Sequence, residues 1–256
     1  MPDEPRPEAQ ALSEVAEMSL SAQLDEIENL DVDVRTNLLK MVQGQADSVS
    51  IAGQGLVMQK DIRVHELEVH TDKIAIDLLS AILGQIELNR PVDATARLVL
   101  TEQDINRALN SDYIRHKFPC FEVNVDGEIV GLEPQQMKIH LSGGSKVRFR
   151  GTILLHERGN TRQVGFNAAF RPRTHSQPVM LEEFNCSEGE GISLELTVAL
   201  MNKVRELMNL PYFEIEGVAL RVKQLDVHEG SLTLHTEAYV RQLPELNRIV
   251  KEDIKL

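Results

Sequence analysis

The strongest constraint on the fold is an alternation of apolar and polar residues with a period of two, which runs through most of the chain after Leu30. The pattern is clearest in residues 121–125, 147–155 and 232–240. Successive side chains of a strand point to opposite faces, so this period predicts strands with one buried face and one wet face. Short turns such as residues 142–145 separate the strands and favour antiparallel hairpins.

Two segments break the alternation and carry helix signals. Residues 101–104, Thr-Glu-Gln-Asp, resemble a capping box that begins a short helix ending near Asn110. Ser193 is placed to cap a longer helix over residues 194–209, which Pro211 ends. The apolar stripe of this helix consists of Leu196, Leu200, Val204, Leu207 and Met208. Such a stripe predicts a helix packed on the sheet, and the chain as a whole reads as α+β with a mostly antiparallel sheet.

An internal similarity links two parts of the chain. Residues 64–76 read VHELEVHTDKIAI and residues 222–234 read VKQLDVHEGSLTL, and both change phase by one residue. A change of phase turns later side chains to the other face unless a bulge absorbs it. We therefore predict a structural repeat with a β-bulge or a bend near residues 65–66 and 223–224.

The composition predicts an aliphatic core in an intracellular protein. Apolar residues make up 42% of the chain and aromatic residues only 4%, with no Trp. The N-terminus has no basic region followed by an apolar run, and no stretch approaches the roughly 18 apolar residues of a membrane span. Cys120 and Cys186 are interpreted as reduced thiols that act as small buried hydrophobes. We expect a cytoplasmic protein that associates peripherally with a membrane.

Charge divides the chain further. Residues 1–29 contain eight acidic residues and one basic residue, a net charge of −7, and we expect them to be a flexible or loosely docked leader. The main domain is placed at residues 30–243 and a tail at residues 244–256. Residues 138–173 contain eight basic residues and one acidic residue, although the whole chain carries −13.

The basic stretch has three interpretations. Lys146, Arg148 and Arg150 alternate with apolar residues and share one wet strand face, while Arg171 and Arg173 lie on the next hairpin arm. The face is either ordinary solvated surface or a binding surface for anionic headgroups. In the second case each cation contributes about 1 kcal/mol to the free energy of binding to an anionic leaflet. Nucleic acid is not expected, because the nearby phenylalanines fall on the apolar phase and the overall charge is negative.

Signatures of catalysis are missing from the sequence. It contains no GxSxG, HExxH, GxxxxGK[ST] or CxxC motif. Residues 53–55, Gly-Gln-Gly, lack the third glycine of a dinucleotide-binding turn. The eight histidines are not spaced as metal ligands on a helix. We expect a protein that is not an enzyme and that has no metal or cofactor.

Two runs of the sequence carry a resemblance to a known family. Residues 48–88 read SVSIAGQGLVMQKDIRVHELEVHTDKIAIDLLSAILGQIEL, followed at residues 91–109 by PVDATARLVLTEQDINRAL. Residues 213–240 read FEIEGVALRVKQLDVHEGSLTLHTEAYV. Over residues 30–243 the chain resembles the LmeA-like phospholipid-binding family, and specifically an intracellular branch of this bacterial group. The most specific motif is LTEQDINRAL.

The resemblance implies a tubular lipid-binding fold, in which a strongly curved antiparallel sheet wraps around a long amphipathic helix and leaves an apolar groove. It implies no catalytic residues. We expect a phospholipid or a membrane surface as the partner. The residues assigned to the groove are Leu196, Leu200, Val204 and Leu207. Those assigned to headgroup or membrane contact are Lys146, Arg148, Arg150, Arg171 and Arg173. The alternative is a protein-interaction or assembly factor with a closed core, whose acidic leader binds a protein partner.

Overall fold

The computed structural model describes residues 7–58, 61–76, 87–117, 119–172, 180–189, 191–208, 213–215 and 218–241. Its internal contacts divide the chain into two compact units. Unit 1 consists of Met1–Val99, Tyr212–Lys223 and Leu234–Leu256, and unit 2 of Leu100–Pro211 and Gln224–Thr233. The boundaries that the sequence interpretation placed at residues 30 and 243 stay predictions.

The described residues form two sheets, and every strand pairing for which a register is defined is antiparallel. The strands are β1 (Asn29–Arg35), β2 (Gln45–Met58), β3 (Ile62–Ala75), β4 (Val92–Thr101), β5 (Phe121–Val125), β6 (Glu128–Leu141), β7 (Val147–Glu157), β8 (Asn160–Arg171), β9 (Met180–Glu188), β10 (Phe213–Ile215), β11 (Val218–His228) and β12 (Ser231–Val240). One sheet has the order β1-β2-β3-β4-β12-β11-β10 and the other the order β5-β6-β7-β8-β9. The β-structure is curled into a half-barrel, which confirms a curved and mostly antiparallel fold.

Helices accompany the sheets. In the described part of the chain they are α1 (Pro7–Ser21), α2 (Leu38–Val42), α3 (Glu102–Leu109), α4 (Asp112–Lys117) and α5 (Leu194–Met208). Both helices predicted from the sequence are present with their predicted caps. The side chain of Thr101 accepts a hydrogen bond of 3.1 Å from the amide of Asp104, and that of Ser193 accepts one of 3.1 Å from Leu196. The implied wrapping of a sheet around α5 stays a prediction.

Helix α1 contributes to the core of unit 1. A cluster of buried residues on β1 and β2, including Val32 and Leu56, packs against Leu12, Ala16 and Leu20. The hydroxyl of Ser13 also accepts a hydrogen bond of 2.9 Å from the amide of Val34. Residues 7–21, which we expected within a loosely docked leader, are therefore helical and packed against the first strand.

The predicted repeat and its first bulge are wrong. The β2–β3 ladder pairs Gln54 with Glu66 and Leu56 with Val64, so its register does not shift at His65. The irregularity lies instead on the partner strand, where Gly55 adopts a φ of 60°. Residues 64–75 belong to one strand, whereas residues 222–234 form a hairpin of β11 and β12 around Gly230. The same alternation of apolar residues is thus satisfied by two different structures.

The five-stranded sheet of unit 2 buries one face of β7 at both of its ends. At one end Leu155 lies in a cluster with Val123 and Val164, and α5 covers this cluster. At the other end Val147 lies in a second cluster with Ile139, which α3 and the β11–β12 hairpin cover. Residues 147 and 155 are eight apart, so both clusters lie on the same face of β7. The opposite face of the strand carries the polar residues.

Helix α3 shields a free edge of β6. In the described part of the chain β5 pairs with β6 only as far as Leu132, and residues 137 and 139 have no strand partner on that side, while the Leu141 carbonyl accepts from the Gly230 amide at 2.9 Å. Three polar side chains of the helix bond to this part of β6 instead. Asn106 and Asn110 each donate to and accept from one residue of β6, Ile139 and Met137 respectively. A free edge invites pairing with another chain, and the helix satisfies it internally.

The two cysteines have different environments. Cys186 packs against the buried cluster beneath α5, in agreement with its interpretation as a small hydrophobe. Cys120 is exposed, so the same interpretation is wrong for that residue. Both are free thiols, as the sequence predicted.

Candidate functional site

Strands β6 and β7 present a row of cations on the face of the sheet that is turned to solvent. Lys138 pairs in register with Arg150, and His140 with Arg148. All four side chains are exposed. Because Arg148 and Arg150 are even-numbered residues of β7, they lie opposite the buried odd-numbered residues. We call Lys138, Arg148 and Arg150 the cationic surface.

The predicted cations differ in their ion pairs. Lys146 and Arg171 both contact Glu182, at 2.7 Å and 2.5 Å. The hydrogen bond from Lys146, aided by the charge of Arg171, holds the pKa of the Glu182 carboxyl below its usual value. Within the ranges that the structure describes, neither Lys138 nor Arg148 forms an ion pair, and Arg150 donates to the amide oxygen of Asn167 at 3.2 Å.

The structure therefore divides the predicted set. Arg148 and Arg150 lie together and have no carboxylate partner in the described part of the chain, whereas Lys146 and Arg171 share an ion pair with Glu182. Arg173 lies outside the described residues. Lys138 on β6 completes the row.

A shallow depression of about 320 Å³ lies over the cationic surface. Its lining consists of Lys138, His140, Arg148, Phe149, Arg150, Asn167, Ala168, Ala169, Asn185 and the carboxylates Glu102 and Glu183. Glu102 is engaged elsewhere, because it accepts hydrogen bonds from the Leu141 amide at 2.8 Å and from His140 at 3.1 Å. The Leu141 bond, with a smaller contribution from His140, lowers the pKa of Glu102. The depression thus offers cations and amides to an anionic group.

The residues predicted to line an apolar groove lie on α5. Leu196 is only 1% exposed and packs in the same cluster as Leu155, and Leu200 packs partly buried against that cluster. Val204 and Leu207 belong to the helix, but their side chains lie outside the described part. The outer side of the helix exposes Leu194 by 73%, Val198 by 48% and Met201 by 39%. These three residues follow an i, i+4, i+7 spacing, so they form one stripe.

The two predicted sets lie on opposite faces of the five-stranded sheet. Helix α5 covers the buried face through Leu196, and the cationic surface projects from the other face of β7. One phospholipid molecule cannot contact both without passing around or through the sheet. The sequence interpretation assigned the first set to a lipid groove and the second to headgroup or membrane contact, and both assignments stay predictions.

A second depression, of about 540 Å³, lies in unit 1. Half of its lining residues are His, Asp, Glu or Arg, namely His70, Asp72, Asp93, Glu237 and Arg241. The other half are Ala94, Thr95, Ala219, Ala238 and Tyr239. Among the residues that the structure describes, no group of three or more His, Cys, Asp or Glu side chains is arranged to hold a metal ion.

None of the described helices has both the length and the apolar character to cross a bilayer.

Sequence reasoning missed two sets of residues. Asn106 was included only in a motif and Asn110 only as the approximate end of a helix, although Glu102, Asn106 and Asn110 follow one another at intervals of four residues and therefore lie on one helix face. Helix α2 was not predicted. Its signal is the sequence Asn37-Leu38-Leu39-Lys40-Met41-Val42, with a capping residue at the start and Gly44 just after the end.

Comparison with known proteins identifies the family. The model of the LmeA-like phospholipid-binding family matches residues 5–237, which is most of the chain. Searches of curated proteins and of solved structures gave no match. The matched range contains all of unit 2 with the cationic surface and most of unit 1, and the chain therefore belongs to the LmeA-like phospholipid-binding family.

Proposed function

We propose that this protein binds a phospholipid without catalysis and acts at the cytosolic face of a membrane, where it binds or transfers the lipid. The observation that carries the proposal is the cationic surface in a chain of a phospholipid-binding family. Its three cations are exposed, adjacent in register and, within the described ranges, not in an ion pair with a carboxylate. Two free cysteines accord with a reducing compartment.

The cationic surface is assigned to contact with an anionic membrane. The net charge of −13 repels anionic surfaces on average, so a local excess of positive charge has to supply the attraction. Each of Lys138, Arg148 and Arg150 contributes about 1 kcal/mol beside an anionic leaflet, before screening by salt. Lys146 and Arg171 contribute less, because they share the carboxylate of Glu182, which compensates one of their two charges.

The acyl chains are assigned to α5. Leu196 and Leu200 are closed off by the sheet, so a chain reaches them only if the helix moves outward. The stripe of Leu194, Val198 and Met201 is accessible without such a movement. Burial of each methylene group contributes about 0.8 kcal/mol, so even partial coverage of an acyl chain gives useful affinity. In this assignment the cationic surface contacts the membrane, and α5, on the other face of the five-stranded sheet, binds the lipid.

The test is to purify the full chain without detergent, extract it with organic solvent and identify the extract by mass spectrometry. A stoichiometric phospholipid is the expected result. The Val198→Asp variant is expected to lose most of this lipid while its circular dichroism spectrum is unchanged. Glu195→Gln, an exposed position on the same helix, is the matched control and is expected to keep the lipid.

A different outcome would redirect the interpretation. An empty extract, together with no binding to anionic vesicles at low salt, overturns phospholipid binding for this chain. The assembly-factor alternative would then be the hypothesis to test. Lipid that is retained equally by Val198→Asp and by the control would remove the assignment to the outer stripe but not the binding itself.

A further inference from the structure

Helix α2 exposes an unusual amount of apolar surface for its size. Leu38 is 60% exposed, Leu39 71% and Val42 67%. Residues at i, i+1 and i+4 of a helix lie within an arc of about 100°, so the three side chains project in one direction. The other two residues of the helix, Lys40 and Met41, are half-buried. A single exposed apolar residue is ordinary, whereas three on one turn form a continuous patch.

The backbone around this patch makes its hydrogen bonds internally. The Asn37 side chain accepts from the amide of Lys40 at 3.0 Å. The amides of Gln43 and Gly44 donate to the carbonyls of Lys40 and Met41, at 3.0 Å and 2.9 Å. Backbone groups that enter an apolar medium cannot bond to water and need such partners. At the end of the helix that follows Val42, the amides of Gln43 and Gly44 therefore already have such partners.

The segment is also held firmly by the sheet. The hydroxyl of Thr36, which is only 8% exposed, donates to the carbonyl of Gln45 at 2.8 Å. The amide of Ile76 on the neighbouring strand donates to the carbonyl of Gly44 at 2.8 Å. The helix is thus fixed between β1 and β2, and its apolar side chains are presented without an ordering cost at the moment of contact.

The charges near the patch favour a lipid over an acidic or basic protein surface. Lys40 forms an ion pair with Asp47, and Arg35 forms one with Asp33 at 3.2 Å. The four charges cancel, so the patch has no net charge with which to select a charged partner. A neutral projection with apolar side chains on one face of a short helix fits between acyl chains. Apolar groups at the water–lipid boundary bind in proportion to the area they bury.

We propose that α2 is the membrane-inserting element of this protein, with Leu38, Leu39 and Val42 entering the acyl region of a phospholipid bilayer. The inference rests on the proposed function and adds the place where unit 1 meets the membrane. It assigns an insertion site that needs no lipid charge, in contrast to the cationic surface of unit 2.

The absence of Trp from the chain makes the test direct. Leu39→Trp places a single reporter on α2, and Met18→Trp places one on α1 at a position that is 66% exposed in the same unit. Both full-length variants are mixed with uncharged phosphatidylcholine vesicles. We expect the Leu39→Trp emission to shift to the blue and to be quenched by lipids brominated on the acyl chains, and we expect the Met18→Trp emission to stay unchanged.

A second measurement uses the natural residues. Leu38→Ser and Leu39→Ser are each expected to weaken binding to the same vesicles by roughly tenfold, since about 1.4 kcal/mol is lost when most of one leucine is no longer buried. Val15→Ser and Met18→Ser remove exposed apolar residues of unit 1 outside the patch, at 55% and 66% exposure. These two controls are expected to bind as the natural chain does.

Three outcomes overturn the inference. The first is an emission from Leu39→Trp that does not respond to vesicles. The second is an equal response from both tryptophan variants. The third is a blue emission from Leu39→Trp without vesicles that grows with protein concentration, which would identify a second copy of the chain as the occupant. Solvent extraction of the same samples separates these outcomes from a failure of the proposed function, because a chain that carries phospholipid but does not insert α2 refutes only the insertion.

Discussion

The side chain of Asn106 on α3 forms two hydrogen bonds with the backbone of Ile139 on β6. Nδ2 donates to the carbonyl at 2.9 Å, and Oδ1 accepts from the amide at 2.7 Å. Asn110 repeats this arrangement at Met137, and Glu102 accepts from Leu141. Four residues of a helix rise about 6 Å and two residues of a strand about 6.6 Å, so the spacings nearly match. The helix thus takes the place of a neighbouring strand.

Replacement of Asn106 by Leu should lower the free energy of unfolding by about 1–3 kcal/mol, because it leaves a backbone donor and acceptor of β6 unsatisfied. Denaturant titration followed by far-ultraviolet circular dichroism measures the change. Gln103→Ala, at an exposed position of the same helix, is the control and should change the stability by less than about 0.5 kcal/mol. Equal effects of the two substitutions would show that helix propensity, and not the shielded edge, determines the result.

Glu102 should make stability depend on pH. Its pKa in the folded protein lies below the ordinary value of 4.5, chiefly because the Leu141 amide donates to the carboxylate. The stabilisation is therefore complete above pH 4.5 and is lost as the pH falls through the lower folded value. Gln at this position imitates the protonated acid. The natural chain should be more stable than Glu102→Gln at pH 7, and the difference should shrink in acid.

The measurement is the midpoint of denaturant unfolding at pH 7, 5, 4 and 3. Glu183→Gln serves as the control, since Glu183 lines the same depression from β9 and, within the described ranges, makes no ion pair. Its difference from the natural chain should be smaller at pH 7. A Glu102→Gln difference that is constant down to pH 3 would contradict the role of the charged carboxylate.

The cationic surface should control binding to anionic vesicles. Arg148→Ala and Arg150→Ala should each weaken binding about fivefold at low salt, since each lost cation removes about 1 kcal/mol. The effect should fade as the salt concentration rises. Sedimentation with vesicles that contain phosphatidylserine measures the affinity.

Arg158→Ala is the matched control for these variants. It removes the same charge from the β7–β8 turn, where Arg158 is paired with Glu128 at 2.8 Å. Its effect on vesicle affinity should be clearly smaller. An equal loss of vesicle affinity in all three variants would mean that net charge determines binding and that the cationic surface does not.

Gly55 should resist substitution. Its φ of 60° disfavours side chains, and an added Cβ would lie against the carboxylate of Glu28. That carboxylate contacts Arg63 at 2.5 Å, so it has to give up the contact in order to move away. Gly55→Ala should reduce the free energy of unfolding by about 1–2 kcal/mol, as expected for a residue forced into the left-handed region.

The variant Glu28→Ala separates the two causes. In the Glu28→Ala protein no side chain crowds the added Cβ. Gly55→Ala should then lower the free energy of unfolding only through backbone strain, and by less than it does in the natural chain. Thermal unfolding followed by circular dichroism compares the four proteins of this cycle. A Gly55→Ala cost that is unaffected by Glu28 would assign the whole effect to the backbone.

Features that depend on neighbouring residues in the chain were predictable. The alternation of Phe121, Val123 and Val125 specifies a strand because each side chain reports its own face, and β5 is present as expected. The caps at Thr101 and Ser193 act on amides two or three residues away, so both helices begin where their sequences indicate.

Features that depend on residues distant in sequence were not predictable from these patterns. Lys146 and Arg148 look equivalent in the alternation, but Glu182 on β9 neutralises only the first of them. The similarity of residues 64–76 and 222–234 predicted the same structure for both, but the second segment contains a hairpin turn at Gly230. An apolar period predicts which side chains are buried, but not which strand or helix packs against them.

The apolar residues of α5 and α2 show the same division between local and tertiary information. Local sequence was enough to make Leu196 and Leu200 one side of a helix, because a stripe follows from 3.6 residues per turn. Only the packing of α5 on β5–β8 buried Leu196, and only the position of α2 between β1 and β2 left Leu38 and Leu39 uncovered. Secondary structure is determined mainly by interactions over a few residues, whereas exposure and charge pairing are determined when distant segments of the chain pack together.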